Sequence, residues 1–143
     1  MKKCSDVMTK NPVVCLPEDT ATRAAQLMKR MDVGSIPVIE NERTHKLVGI
    51  VTDRDLALRV VADNQTADSV KVGEVMTHEV VTCRTDDHIE MAVEAMAQNQ
   101  LRRIPVLDAA QKLVGIISQA DVATRVDQAN ETAEMVKEIS QPS

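Results

Sequence analysis

The chain is written twice, and that limits what it can fold into more than any other feature. Laying residue 75 over residue 7, a shift of 68, pairs Val7-Met8-Thr9 with Val75-Met76-Thr77, Cys15 with Cys83, Asp19 with Asp87, Met28 with Met96, and Ile36-Pro37-Val38 with Ile104-Pro105-Val106. One loop is two residues shorter in the second copy, so the shift becomes 66. Lys46-Leu47-Val48-Gly49-Ile50 then meets Lys112-Leu113-Val114-Gly115-Ile116, Asp55 meets Asp121, and Arg59 meets Arg125. A long unit present only twice is a duplicated half-domain, because a solenoid stacks three or more units.

Each copy parses by hydrophobic period. Residues 13–16 form a short apolar run suited to a strand, and residues 20–31 place Ala21, Ala24, Ala25, Leu27, Met28 and Met31 on one helical face, with Asp19 as a fair N-cap. Asp32-Val33-Gly34 stops that helix, and 35–40 and 46–51 read as two strands joined by a polar loop. Thr52 opens a second helix in which Leu56, Val60 and Val61 recur at helical spacing. The second copy repeats this with strands near 80–83, 103–107 and 112–117, and helices from about 87 and 118. The expected fold is α/β: two βαββα repeats, each with a three-stranded sheet, packed sheet to sheet with pseudo-two-fold symmetry. The expected division is 1–66 for the first repeat with its lead, 67–126 for the second, and 127–143 for a helical tail. In that tail Val126, Ala129, Ala133, Val136 and Ile139 lie near one stripe, which wants a partner such as another subunit.

At 143 residues with 43% hydrophobic, the chain has the size of one average domain. Its core is aliphatic and rich in methionine, since Phe, Tyr and Trp are all absent. That absence removes base stacking on aromatic rings, and a net charge of -5 lacks the basic footprint that nucleic acid requires. The longest apolar runs, such as 47–51 and 113–117, fall far short of the roughly eighteen residues that cross a bilayer. Lys2 and Lys3 are followed by Ser5, Asp6, Thr9, Lys10 and Asn11 where a signal peptide would be apolar. The expectation is a cytoplasmic protein with neither membrane nor nucleic acid as partner. Cys4, Cys15 and Cys83 show no CxxC spacing and leave one thiol over in any pairing, which fits a reducing compartment. They read first as small core fillers.

Both copies pass from strand to helix through one pattern, Gly49-Ile50-Val51-Thr52-Asp53-Arg54-Asp55 and Gly115-Ile116-Ile117-Ser118-Gln119-Ala120-Asp121. One reading is a capping box, with the hydroxyl bonded to a backbone N–H and the acid reaching back. The other is a ligand site, because a helix start with free N–H groups and a hydroxyl attracts phosphate, while a nearby carboxylate accepts from both hydroxyls of a ribose. Aspartate is shorter than the acid such boxes prefer, and the pattern recurs, so the balance tilts to a ligand.

These strings, with the Val-Met-Thr heads and the Ile-Pro-Val segments, resemble a tandem pair of cystathionine-beta-synthase (CBS) domains, a Bateman module, from Val7 to about Val126. The resemblance implies a regulatory, non-catalytic module that binds AMP, ADP, ATP, S-adenosylmethionine or NAD in clefts between the repeats. It assigns Asp55 and Asp121 to ribose and Thr52 and Ser118 to phosphate. The segments after Thr9 (Lys10, Val13) and after Thr77 (His78, Val81) would meet the adenine edge, and Ile36-Pro37 and Ile104-Pro105 its faces. Arg54, Arg102 and Arg103 are candidate phosphate cations, with Lys10 and His78 near the cleft mouths. Asp53 adds a negative charge beside Thr52 where the second copy has Gln119, and Ser35 stands where the second copy has Arg103, so unequal affinities are expected.

Other classes fit less well. No residue set offers a nucleophile with an adjacent base, paired catalytic carboxylates or a Gly-rich phosphate loop, so no catalytic residue is named and no cofactor is required. Nothing has zinc spacing: His45 lies in a loop and His88 near a helix start, so no metal ligands are assigned. A scaffold that keeps the fold for dimerisation stays open, as does a thiol redox role for the matched Cys15 and Cys83. A homodimer of modules and a separate effector protein are the expected partners.

Overall fold

A computed structural model describes residues 2–126. The expected tail helix falls outside the described residues. The architecture is mixed α/β, as the periods require. A one-turn helix α1 (Cys4–Val7) leads into a two-residue strand β1 (Thr9–Lys10). Helix α2 (Ala21–Met31), strands β2 (Ser35–Ile39) and β3 (Leu47–Thr52), and helix α3 (Asp53–Leu56) with a π-helical continuation (Ala57–Val61) complete the first copy. The second repeats the order: α4 (Val72–Val75), β4 (Cys83–Arg84), α5 (Ile89–Gln98), β5 (Arg103–Leu107), β6 (Leu113–Ser118) and α6 (Gln119–Asp121), followed by a π-helical turn (Val122–Val126). No helix among the described residues is long and apolar enough to cross a membrane.

Two of the local expectations need correction. The N-cap of α2 is Thr20, whose Oγ1 accepts from Arg23 N at 3.1 Å; Asp19 instead accepts from Leu16 N at 2.8 Å and shapes the preceding turn. Residues 13–16 make no strand of their own, only a parallel bridge from Cys15 to Val38, since the Pro12 and Pro17 that bracket them lack the N–H a ladder needs. The short helices α1 and α4 were hidden from a period argument, because four residues span barely one turn.

The chain divides into two compact units. One, the Asp121 unit, gathers residues 2–12, 81–110 and 114–126; the other, the Asp55 unit, gathers 13–80 with 111–113. The compact units are not consecutive stretches of chain, because residues 2–12 join the unit built on 81–110 and 114–126, and residues up to 80 stay with the unit that begins at 13. In the Asp121 unit the sheet order is β1-β6-β5-β4 in place of three strands, with Thr9 opposite Ile116 and β4 parallel to β5. The Asp55 unit repeats that order in outline: β2 and β3 pair antiparallel, Thr77 bridges Ile50 at one edge, and Cys15 bridges Val38 at the other.

The exchange is held by matching hydrogen bonds. Cys4 N donates to Asp87 O at 2.9 Å and Ile89 N to Lys2 O at 2.9 Å in one unit; Val72 N donates to Asp19 O at 2.7 Å and Ala21 N to Val70 O at 2.8 Å in the other. Each unit has its own aliphatic core. Ile36, Val38, Val51, Met28 and Val72 are buried in the Asp55 unit, and Ile104, Val106, Ile117, Met96 and Val7 in the Asp121 unit.

Candidate functional site

The two turns that carry the motif are built alike. Thr52 is extended (φ -118°, ψ 162°), and its Oγ1 accepts from Asp55 N at 3.0 Å while Asp55 Oδ2 accepts from Thr52 N at 3.0 Å. Ser118 Oγ accepts from Asp121 N at 3.0 Å, and Asp121 Oδ2 accepts from Ser118 N at 3.2 Å. Aspartate therefore does close the box, against the length argument, because the extended cap residue turns its own N–H toward the first helical turn. The capping reading and the ligand reading now describe the same atoms.

A head docks beside each turn. Thr77 Oγ1 donates to Asp55, lying 3.1 Å from Oδ1 and 3.2 Å from Oδ2, and Thr9 Oγ1 donates to Asp121 Oδ2 at 3.2 Å. Backbone bonds from Thr77 N to Ile50 O (2.7 Å) and Ile50 N to Thr77 O (2.9 Å) lock the first pair. The docking explains both glycines of the motif. A Cβ on Gly49 would lie 2.7 Å from Met76 Sδ and 2.9 Å from Thr77 O; on Gly115, 2.5 Å from Met8 Sδ and 3.0 Å from Thr9 O.

Two residues that the sequence reading left out of the site complete it. Arg59 Nη1 donates to Val75 O at 3.1 Å and Met76 O at 3.3 Å, and Arg125 Nη1 donates to Val7 O at 2.8 Å and to Met8 O. Arg125 Nη2 also reaches Thr9 Oγ1 at 3.4 Å. Each guanidinium caps the carbonyl end of a one-turn helix, where its charge meets the negative end of the backbone dipoles. Both arginines sit in the π-helical turns. Their pairing at the shift of 66 was the available signal.

The remaining candidates divide. Thr77 and His78 fall in the unit of Thr52 and Asp55, and Thr9 and Lys10 in the unit of Ser118 and Asp121, with Lys10 and His78 exposed. Val13 and Val81 fall in the opposite units from the heads that precede them. Ile36, Pro37, Ile104 and Pro105 are all buried, and Ile36 and Ile104 are core residues. Arg54 is exposed in the first turn. Arg102 and Arg103 are exposed too, and Gln119 N donates to Arg102 O at 2.9 Å, which sets that pair beside the start of α6. At the other turn Asp53 N donates to Gly34 O at 2.9 Å, so Gly34-Ser35 stands where the second copy has two arginines. The carboxylates differ in exposure: Asp55 is 7% exposed, whereas Asp121 is half-buried.

The CBS domain family model matches residues 4–62 and 72–127. The chain is 39% identical over 133 residues to the CBS domain-containing protein YhcV of Bacillus subtilis, covering 93% of this chain and 91% of that one. CBSX2 of Arabidopsis thaliana in complex with AMP superposes with a TM-score of 0.77 at 28% identity, over 92% of this chain and 100% of that one. Hypoxic Response Protein I with two coordinated zinc ions superposes at 0.76 and 28% identity, over 85% and 97%. Among the described residues no group of three or more His, Cys, Asp or Glu is placed to hold a metal ion. The matched family, the paired heads and the twin turns agree, and the chain belongs to the CBS domain family, with two copies of the domain.

Proposed function

We propose that this chain is a regulatory module that binds an adenosine-containing nucleotide at its strand-to-helix turns. One observation carries the reading: a hydroxyl, a helix start and an aspartate are assembled twice in the same geometry, each with a head strand docked beside it. The AMP held by CBSX2, a protein of the same fold and family, supports it. In this reading Asp55 and Asp121 accept from ribose hydroxyls, and Thr52 and Ser118 meet phosphate at the helix starts. The backbone of the Thr77-His78 and Thr9-Lys10 segments meets the adenine edge. Arg102 and Arg103 favour an anion at the Asp121 turn, where Asp53 and Gly34-Ser35 offer the other turn no such charge.

A scaffold without ligand is the competing reading, and one observation favours it: both carboxylates already accept from a main-chain N–H and a threonine hydroxyl. A ribose diol can take the place of the threonine hydroxyl and leave the capping bond intact. A calorimetric panel of AMP, ADP, ATP, S-adenosylmethionine and NAD decides between them. At about a hundredfold excess over Kd, a bound nucleotide adds roughly 2.7 kcal/mol of stability, whereas a scaffold shows neither heat nor a melting shift with any of the five. Signalling to a separate effector requires that the ligand favour one of two states of the module, since equal affinity for both moves nothing.

A further inference from the structure

The duplication breaks at one buried contact. The shift of 68 sets Cys15 against Cys83 and Val72 against Cys4, so the exchange of heads places Val72 in the core that holds Cys15, and Cys4 in the core that holds Cys83. Cys4 and Cys15 are 0% exposed, and Cys83 is 5%. Backbone bonds from Cys4 N to Asp87 O (2.9 Å) and Ser5 N to Thr85 O (3.1 Å) hold α1 beside the residues that follow β4. Cys4 Sγ donates to His88 O at 4.0 Å and Cys83 Sγ to Pro105 O at 3.8 Å, which seats both thiols in the one core beneath α1 and β4. We propose that Cys4 and Cys83 form a reversible oxidation site, at which a peroxide joins them in an intrachain disulfide that fastens the first head to the Asp121 unit.

Cys4 is the attacking thiol. The neighbouring Cys83 thiol draws it below the ordinary thiol value against the opposing effects of burial and of Asp87, Asp86 and Glu90, while the Cys4 neighbour and burial push Cys83 up. The Cys4 thiolate attacks one peroxide oxygen; the O–O bond breaks, and the departing hydroxide takes up the proton that Cys4 released. Cys83 sulfur then attacks the Cys4 sulfenic acid; the S–S bond forms as the S–O bond breaks, and that hydroxide leaves with the Cys83 proton. Two thiols give up two electrons, and one peroxide becomes two waters. Peroxide reaches the pair when this head opens locally, a cheaper event than global unfolding. Cys15 has a valine in its unit where Cys83 has a thiol, and burial, with Asp19 opposing Arg23, pushes it up to about 11. Thr9, which bonds to Asp121, lies within the fastened head.

The test treats the folded full-length chain with hydrogen peroxide, quenches it, and measures intact mass, free thiols after denaturation, and melting by circular dichroism. The mass falls by about 2 Da for two hydrogens lost. Titratable thiols drop from the three free cysteines to one, which peptide mapping identifies as Cys15. Dithiothreitol reverses both changes, and the oxidised form melts at least about 5 °C higher because the bond closes a long loop. Cys4→Val and Cys83→Val abolish all of this, whereas Cys15→Val does not. Cys4→Val copies the arrangement at Val72 and so keeps the fold. Retention of three thiols, oxygen addition without loss of hydrogen, crosslinking between chains, an unraised melting point, or the same mass loss in Cys4→Val overturns the proposal.

Discussion

The Asp55 and Asp121 units are built on one plan, and they differ where burial differs. Asp55 is almost wholly buried, and both its oxygens lie within reach of the Thr77 hydroxyl; Asp121 is half-buried and meets Thr9 through one oxygen. The glycine that admits the head, the methionine on it and the arginine that caps it are the same in both. Duplication has thus kept the docking device and let the carboxylates diverge in burial: Asp55 is enclosed, and Asp121 is more open, at a turn with two exposed arginines beside it.

Four substitution experiments break or sharpen that contrast. The largest effect is expected for Asp55→Ala, which strips buried partners from Thr52 N and Thr77 Oγ1 and costs about 2–3 kcal/mol in urea unfolding, against about 1 kcal/mol for Asp121→Ala. Equal costs would break the contrast in burial. Next come Gly49→Ala and Gly115→Ala, each expected to cost about 2 kcal/mol, because the new Cβ meets a backbone carbonyl as well as a flexible methionine. Here the units should agree, and a harmless change at either glycine would show that its head is not docked so closely.

Under the proposed function, ligand affinity is expected to reverse the order of the units. Asp121→Asn, which keeps an acceptor for the cap, should weaken AMP binding about tenfold, or about 1.4 kcal/mol, with a smaller loss for Asp55→Asn. A calorimetric titration that fits two identical sites in the unaltered chain speaks against this asymmetry. The smallest effects belong to the arginines. Arg59→Met and Arg125→Met each remove charge-assisted bonds to helix-end carbonyls, about 1 kcal/mol, with Arg125 the costlier because it also reaches Thr9 and is half-buried where Arg59 is exposed. A larger loss at Arg59 contradicts that ranking.

Much of this was legible in the residues. The apolar runs read at 35–40 and 103–107 predict the strands found at Ser35–Ile39 and Arg103–Leu107, because strand propensity and apolar packing act over neighbours. Thr52 and Ser118 mark their helix starts through bonds only three residues long. The heads were legible as repeated strings but not as helices, and Arg59 and Arg125 were visible as a matched pair without a role. Their partners lie 16 and 118 residues away, beyond the range of any period.

The sequence alone determined that there are two like units, that their cores are aliphatic, and that each strand-to-helix turn carries a hydroxyl and an acid. Local geometry requires no more than neighbouring residues to reach those ends. Only the tertiary structure decided which head meets which turn, and so which aspartate is buried and which cysteines share a core. Both heads read Val-Met-Thr and both turns begin with a glycine cleared for them, so either pairing satisfies the same local rules. The choice lies in long-range contacts that no short stretch of chain contains.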